Sequence, residues 1–180
     1  KQTENSPIYC TYEMLWSIPR EGFLLTNYEI LLEEAENAGV TVDETSHFCG
    51  TRIKGLYFDN HIAINKDIPT DTEKACILAE ELGHYQTATS NIIDQSTVQN
   101  RKQEMCGRIW AYNKQVGLTG LIKAYKNRCE NSHEVAEYLG VTDSFLNDAI
   151  TYYKNKYGCY TQVDNYIIIF EPTIAVMELI

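Results

Sequence analysis

Residues 70–85 carry the clearest structural signal in the sequence, an amphipathic helix with a defined start. Thr70 and Glu73 stand three residues apart, as in a capping box, where each side chain satisfies a backbone N–H of the first turn. The apolar residues that follow recur at helical spacing and predict one buried stripe: they are Ala75, Leu78, Ala79 and Leu82. We therefore predict a helix that packs one face against the rest of a domain.

The segments around this helix predict an α+β fold. Extended runs precede it between Val40 and Ile68, and Asp59-Asn60 predicts a hairpin turn within them. Further helices are predicted at 28–39, 98–115, 118–129, 132–139 and 142–157, and a last strand at 166–170. We expect one mostly helical domain over residues 28–180, with a small antiparallel sheet beside the 70–85 helix. Residues 1–27 show no sustained period and are interpreted as an extension of unknown role.

Charge and cysteine content exclude several classes of protein. The chain has 180 residues and a net charge of −10, without a basic run, so direct binding of nucleic acid is not expected. A helix–turn–helix pattern at 134–146 lacks a basic second helix and is interpreted as packing. None of the six cysteines stands at CxxC spacing, which favours reduced thiols. With no leader-like or membrane-spanning apolar run, we expect a cytoplasmic protein without a membrane partner.

The segment Ala79-Glu-Glu-Leu-Gly-His84 carries the clearest chemical signal. On a helix, Glu80 and His84 lie one turn apart on the same face, and Glu81 lies beside that face. Zinc peptidases use this geometry, with two ligands one turn apart and a carboxylate that takes a proton from water. The usual motif is HExxH, and here Glu80 stands in place of its first histidine.

A third ligand is expected from the next predicted helix. Glu104 follows His84 by twenty residues and lies where that helix can fold back across the first. Glu80, His84 and Glu104 would then form a set of two carboxylates and one imidazole that suits zinc. Because a carboxylate replaces an imidazole, manganese or iron is less excluded. A solvated helix face with an ordinary histidine is the alternative interpretation of the short motif alone.

Several stretches together resemble the ImmA/IrrE family of metallo-endopeptidases. They are Gly55-Leu-Tyr-Phe-Asp-Asn, His61-Ile-Ala-Ile-Asn, residues 73–85 and Asn100-Arg-Lys-Gln-Glu104, followed by Gly107 and Trp110-Ala111. The resemblance covers residues 28–157 and implies a compact zincin-like fold. It also implies that Glu81 is the general base and that His84 and Glu104 are zinc ligands.

Glu80 is the departure from the family pattern, and it leaves three alternatives. Glu80 ligates the metal directly, His61 or His47 supplies the missing ligand, or the site is metal-free and inactive. Direct ligation is favoured because a glutamate reaches about as far as a histidine from the same helix face.

The resemblance also implies a partner. Relatives of this kind act on a helix-turn-helix repressor encoded near them in a prophage or another mobile genetic element. The predicted function is therefore metal-dependent cleavage of a DNA-binding repressor, and the alternative is an inactive zincin-like module that regulates the repressor by binding. Tyr85 and Tyr112 are candidate oxyanion donors, and Asp94 is a candidate to orient His84.

Overall fold

The computed structural model describes residues 25–48, 53–87 and 97–179, the side chains of 97–101 excepted. These residues form the predicted α+β fold, with six helices and six strands in two small sheets. The helices are α1 (Asn27–Asn37), α2 (Asp71–Thr87), α3 (Thr97–Gln115), α4 (Gly117–Lys126), α5 (Ser132–Leu139) and α6 (Asp143–Tyr157). The strands are β1 (Thr41–Asp43), β2 (Gly55–Phe58), β3 (His61–Ile64), β4 (Tyr160–Val163), β5 (Tyr166–Ile169) and β6 (Ala175–Glu178).

The start of α1 differs by one residue from the sequence prediction. The helix begins at Asn27 and not at position 28, with Thr26 as its N-cap. The Thr26 hydroxyl accepts from the backbone N–H of Glu29, while the Glu29 carboxylate accepts from the backbone N–H of Thr26. The Asn27 side chain instead donates to the carbonyl of Leu139 at 2.6 Å. That bond ties the first helix to the end of α5.

The first sheet has the strand order β1-β3-β2. β2 and β3 form the predicted antiparallel hairpin, and Asp59 and Asn60 adopt positive φ values of 48° and 61° at its turn. The predicted antiparallel pairing is thus confirmed for β2 and β3, whereas β1 pairs with β3 in parallel. A parallel partner comes from a distant part of the chain, so local turn signals do not predict it.

The two longest helices, α2 and α3, pack against each other and position the candidate site. α2 buries the predicted stripe, since Ala75, Leu78, Ala79 and Leu82 are each at most 1% exposed. β3 contributes Ile62 and Ile64 to the same core. None of the helices in the described parts of the chain is long and apolar enough to cross a bilayer.

The C-terminal third contains one more sheet than the sequence predicts. The predicted strand at 166–170 is present as β5, and β4 and β6 pair with it on either side, both antiparallel. β5 has an apolar run with Tyr166 and Ile168 buried, whereas most of β4 and β6 is exposed or half-buried. Because the apolar signal of the two outer strands is weak, the sequence predicts only the central strand.

The described cysteines are all free, in agreement with the prediction of reduced thiols. They are Cys76, which is buried in α2, Cys106, Cys129 and Cys159. Cys10 and Cys49 lie outside the described residues. Burial raises the pKa of the Cys76 thiol and makes it a structural residue.

Candidate functional site

Two glycines let α2 and α3 approach almost backbone to backbone. A Cβ atom added at Gly83 would collide with the carbonyl oxygen of Gly107 on the facing helix. A Cβ atom added at Gly107 would lie 2.7 Å from Nδ1 of His84. The imidazole of His84 therefore lies directly against the backbone of α3, in a space that only glycine leaves free.

This crossing brings His84 and Glu104 together, as the sequence predicts. Nε2 of His84 lies 3.2 Å from Oε2 of Glu104, and the imidazole is 19% exposed against 49% for the carboxylate. Burial lowers the pKa of His84, and Glu104 opposes that shift in part. A neutral imidazole has a free nitrogen lone pair, which is the form that binds metals.

Glu81 lies beside this pair, between α2 and β2. Burial raises the pKa of Glu81 to about 7, and a hydrogen bond from the backbone N–H of Tyr57 opposes the shift. Gly55 makes room for the carboxylate, because a Cβ atom there would lie 2.8 Å from Oε1 of Glu81. A carboxyl group that titrates near neutral pH suits a group that both accepts and returns a proton.

Glu80 lies near an arginine that the sequence analysis does not single out. Nε of Arg108 is 4.0 Å from Oε2 of Glu80, and Nη2 of Arg108 is 3.1 Å from Oε1 of Glu104. Burial raises the pKa of Glu80, and Arg108 opposes the shift. The spacing of Glu104 and Arg108 is the available signal, since residues four apart on a helix form ion pairs.

The donor types fit a metal, but their arrangement fits it only in part. His84 and Glu104 offer an imidazole nitrogen and a carboxylate oxygen, both common ligands of zinc and manganese. Glu80 instead lies with the guanidinium of Arg108. Accordingly, no group of three His, Cys, Asp or Glu side chains within the described ranges is placed to hold a metal ion. Glu80, also predicted to be a metal ligand, is on the same helix face as His84, but its carboxylate lies near Arg108.

A groove of about 650 Å³ opens over Glu80, Glu81, Glu104 and Arg108, whereas His84 is not among the residues that line it. Its walls come from β2 and the residues before it, from α2 and α3, and from the start of α6. Five acidic and two basic side chains line it: Glu73, Glu80, Glu81, Glu104, Asp148, Lys54 and Arg108. We call Glu80, Glu81, His84, Glu104 and Arg108 the α2–α3 site. The groove gives a ligand access to its carboxylates.

The two predicted tyrosines do not line the groove, although Tyr112 lies close enough to Asp148, Glu80 and Arg108 for their charges, besides burial, to shift its pKa. The hydroxyl of Tyr85 donates to the carbonyl of Ala38 at 3.1 Å, which links α2 to the end of α1. Tyr112 is 5% exposed and packs edge-on against Phe145, and burial raises its pKa to about 12. Asp94 lies outside the described residues.

The two alternative histidines also lie elsewhere. Nδ1 of His47 is 2.9 Å from Oδ2 of Asp67, and both side chains are largely exposed. Nδ1 of His61 is 2.7 Å from the carbonyl oxygen of Asp59, its neighbour in the hairpin turn. Because both histidines have partners in other parts of the fold, the arrangement gives no support to a replacement ligand from this pair.

Comparisons with known proteins add no further constraint. Family models, curated proteins and solved structures contain no match to this chain. The resemblance to the ImmA/IrrE metallo-endopeptidases therefore stays a prediction that rests on the quoted motifs. Its functional content has to be supported by the geometry of the α2–α3 site.

Proposed function

We propose that this protein is a metal-dependent endopeptidase that acts on a protein partner. The observation that carries the proposal is the 3.2 Å approach of Nε2 of His84 to Oε2 of Glu104, made across two helices. Glu81 lines the same groove as Glu104. An imidazole, a carboxylate ligand and a separate buried carboxylate supply two of the three protein ligands and the base that hydrolysis of a peptide bond by activated water uses.

His84 and Glu104 would hold the metal, with Glu80 as the third ligand when it is free to turn toward them. Zinc, or manganese or iron in its place, supplies Lewis acidity to a peptide carbonyl and acidifies water. Glu81 accepts a proton from the attacking water on its carboxylate and later delivers it to the leaving amine.

The edge of the first sheet offers a place for an extended substrate. Within the described residues β2 pairs only with β3, so its outer edge presents backbone N–H and C=O groups beside the groove. An extended peptide can add to such an edge by backbone hydrogen bonds. The peptide backbone would then run alongside Glu81, which accepts a hydrogen bond from Tyr57 of the same strand.

For the partner, we propose a helix-turn-helix repressor of a mobile genetic element, as the motif resemblance implies. A repressor that binds DNA carries a basic surface, and this chain has a net charge of −10. Charge complementarity of this kind favours encounter and falls with ionic strength. Cleavage would occur in the cytoplasm, where such a repressor acts.

Elemental analysis and zinc titration test the metal site. Protein purified without chelator is expected to take up about one equivalent of zinc, because imidazole and carboxylate donors converge at one point. The Glu104→Ala variant should lose this uptake while keeping its circular dichroism spectrum. A wild-type chain that takes up neither zinc, manganese nor iron on titration would contradict the enzyme function.

A non-catalytic module is the second candidate, and the position of Arg108 favours it. The guanidinium already contacts Glu104 and lies near Glu80, so two of the predicted ligands have a cation without a metal. Such a protein would regulate a repressor by binding alone. Repressor binding that survives both EDTA and the Glu81→Gln substitution, with no cleavage product on a gel, would select this candidate.

A further inference from the structure

Arg108 places a positive charge beside two of the predicted metal ligands, Glu80 and Glu104. It follows Glu104 by one turn of α3, and both its Nη2 and its Nε lie within 3.2 Å of Oε1 of Glu104. Its Nε also lies 4.0 Å from Oε2 of Glu80 on α2. The guanidinium thus joins carboxylates from two helices at the open side of the groove.

We propose that Arg108 is an internal cation that holds Glu80 and Glu104 in the metal-free protein and competes with the metal for both. The inference rests on the metal site of the proposed function. A guanidinium stays protonated throughout the physiological pH range, so it cannot leave by losing its charge. A divalent ion and a guanidinium repel each other, so a metal held by both carboxylates requires Arg108 to move out.

This competition would account for a glutamate at position 80, where the HExxH motif has a histidine. A neutral histidine at position 80 would be a metal ligand with no attraction for Arg108. The carboxylate of Glu80 attracts either cation, so its half-buried charge has a partner in both states. The substitution that departs from the HExxH motif therefore couples metal binding to release of the arginine.

The surroundings of Arg108 allow the side chain to move. Its side chain is 43% exposed, and it lies at the groove rather than in the core. An outward rotation would place the guanidinium in water without opening a cavity. Release of the guanidinium therefore costs mainly its contacts with Glu80 and Glu104. Metal binding has to offset this cost, so Arg108 lowers the apparent metal affinity.

Calorimetric titration of the full chain with zinc chloride or manganese chloride tests the proposal. Arg108→Gln keeps a polar side chain and removes the charge, so we expect metal affinity to rise by about 10-fold or more, the effect of removing a competing unit charge a few ångströms from the site. Arg128→Gln is the matched control, because it makes the same charge change outside the groove and should leave the affinity unchanged.

The four outcomes separate the two proposals. Tighter binding by Arg108→Gln than by wild type supports both, and binding by the variant alone supports the arginine competition but removes the wild-type enzyme function. Equal or weaker binding by the variant overturns the competition and leaves the enzyme proposal standing. Binding by neither protein overturns both.

A second variant keeps the test decisive if Arg108→Gln does not fold. Arg108→Lys retains a positive charge but cannot make the two-nitrogen contact with Glu104. Its metal affinity should be higher than that of wild type, because a single ammonium group holds the two carboxylates less firmly than the guanidinium. A lysine variant that binds metal as tightly as wild type, or more weakly, would contradict the proposal.

Discussion

The α2–α3 site differs in its packing from the aromatic cluster around Tyr153 and Phe170, which lies at the other end of α6. In the cluster, Tyr153 is fully buried, packs against Phe170 at 6.1 Å and donates its hydroxyl to the carbonyl of Tyr112. In the site, glycines create room, and the carboxyl groups of Glu80 and Glu81 are held at raised pKa values by burial. The aromatic cluster is stabilised by packed rings and satisfied hydrogen bonds. The α2–α3 site contains buried carboxyl groups whose ionisation opposes folding.

The contrast teaches where stability and activity should separate. Substitutions in the aromatic cluster should lower stability without a specific effect on the site. Substitutions of the buried carboxylates should remove function and leave stability equal or higher, because desolvated functional groups lower the stability of the folded protein.

Truncation of the cluster should give the largest loss of stability. Tyr153→Ala removes a fully buried aromatic ring, and we expect the free energy of unfolding to fall by about 3–5 kcal/mol. Tyr153→Phe removes only the hydroxyl, which contacts the carbonyl of Tyr112 and Oδ1 of Asn113, and should cost about 0.5–1.5 kcal/mol. Urea unfolding measures both, and a ratio near one would contradict the packing role of the ring.

Glu81→Gln should separate function from stability most clearly. We expect cleavage to fall by about 100- to 10,000-fold, the usual contribution of a general base. The folded state holds a proton at Glu81 up to about pH 7, whereas the unfolded state loses it near the ordinary pKa of 4.5. The stability from this proton is full below 4.5 and is lost as pH rises through 7. Wild type should therefore lose stability across this window.

The matched measurement is the melting temperature of both proteins between about pH 4 and pH 8, without metal. The glutamine side chain of the variant cannot ionise, so the variant should be the more stable protein at the alkaline end and should show less pH dependence than wild type. A variant that is less stable than wild type at that end would contradict the burial of a strained carboxyl group. Retained cleavage would remove Glu81 from the mechanism.

Gly107→Ala should disturb the site through the helix crossing. The new methyl group would press on the His84 ring, so we expect a loss of about 1–3 kcal/mol, typical of an overpacked contact. Metal uptake should fall with it, because His84 can no longer lie against α3. Gly120→Ala is the control, since its Cβ would meet only the flexible end of Leu139 at 3.2 Å. Unchanged metal uptake by Gly107→Ala would contradict the positioning role.

The smallest effect is expected at the rim of the groove. Lys54 and Glu73 form an ion pair of 2.7 Å, but the lysine side chain is 62% exposed. Lys54→Ala should therefore change stability by less than about 1 kcal/mol, and the change should shrink in high salt. Thermal unfolding at two salt concentrations measures it. A larger loss would mean that the rim, and not only the interior, contributes to the fold.

Local signals predict the part of the fold that local interactions determine. The Thr70 hydroxyl, which accepts from the backbone N–H of Glu73, and the Asp59-Asn60 turn act over a few residues, and both elements lie where the sequence places them. The Glu73 carboxylate, predicted to complete a capping box, accepts from Nζ of Lys54. The parallel pairing of β1 with β3 depends on a contact between separated segments and has no local turn signature. β4 and β5 are instead joined by the two-residue turn Asp164-Asn165, with Asp164 at a φ of 52°, a local signal that the sequence analysis missed.

The site follows the same rule. Helical spacing fixes the faces of His84 and Glu104, which is why their meeting is predictable, and the two side chains do meet. The role of Glu80 is not predictable in this way, because it depends on Arg108, which reaches across from another helix. Likewise, the hydroxyl of Tyr85 goes to Ala38, a carbonyl at the end of α1 that no spacing rule brings near.

The open edge of β2 has a consequence for how the protein behaves in solution. Among the described residues, its backbone groups have a strand partner on one side only, and Leu56 and Phe58 are 49% and 75% exposed. An edge of this kind accepts any extended strand, including that of a misfolded neighbour, and is a known start of aggregation. The charges of Lys54 and Asp59 bracket the strand in sequence, where gatekeeper residues oppose such stacking.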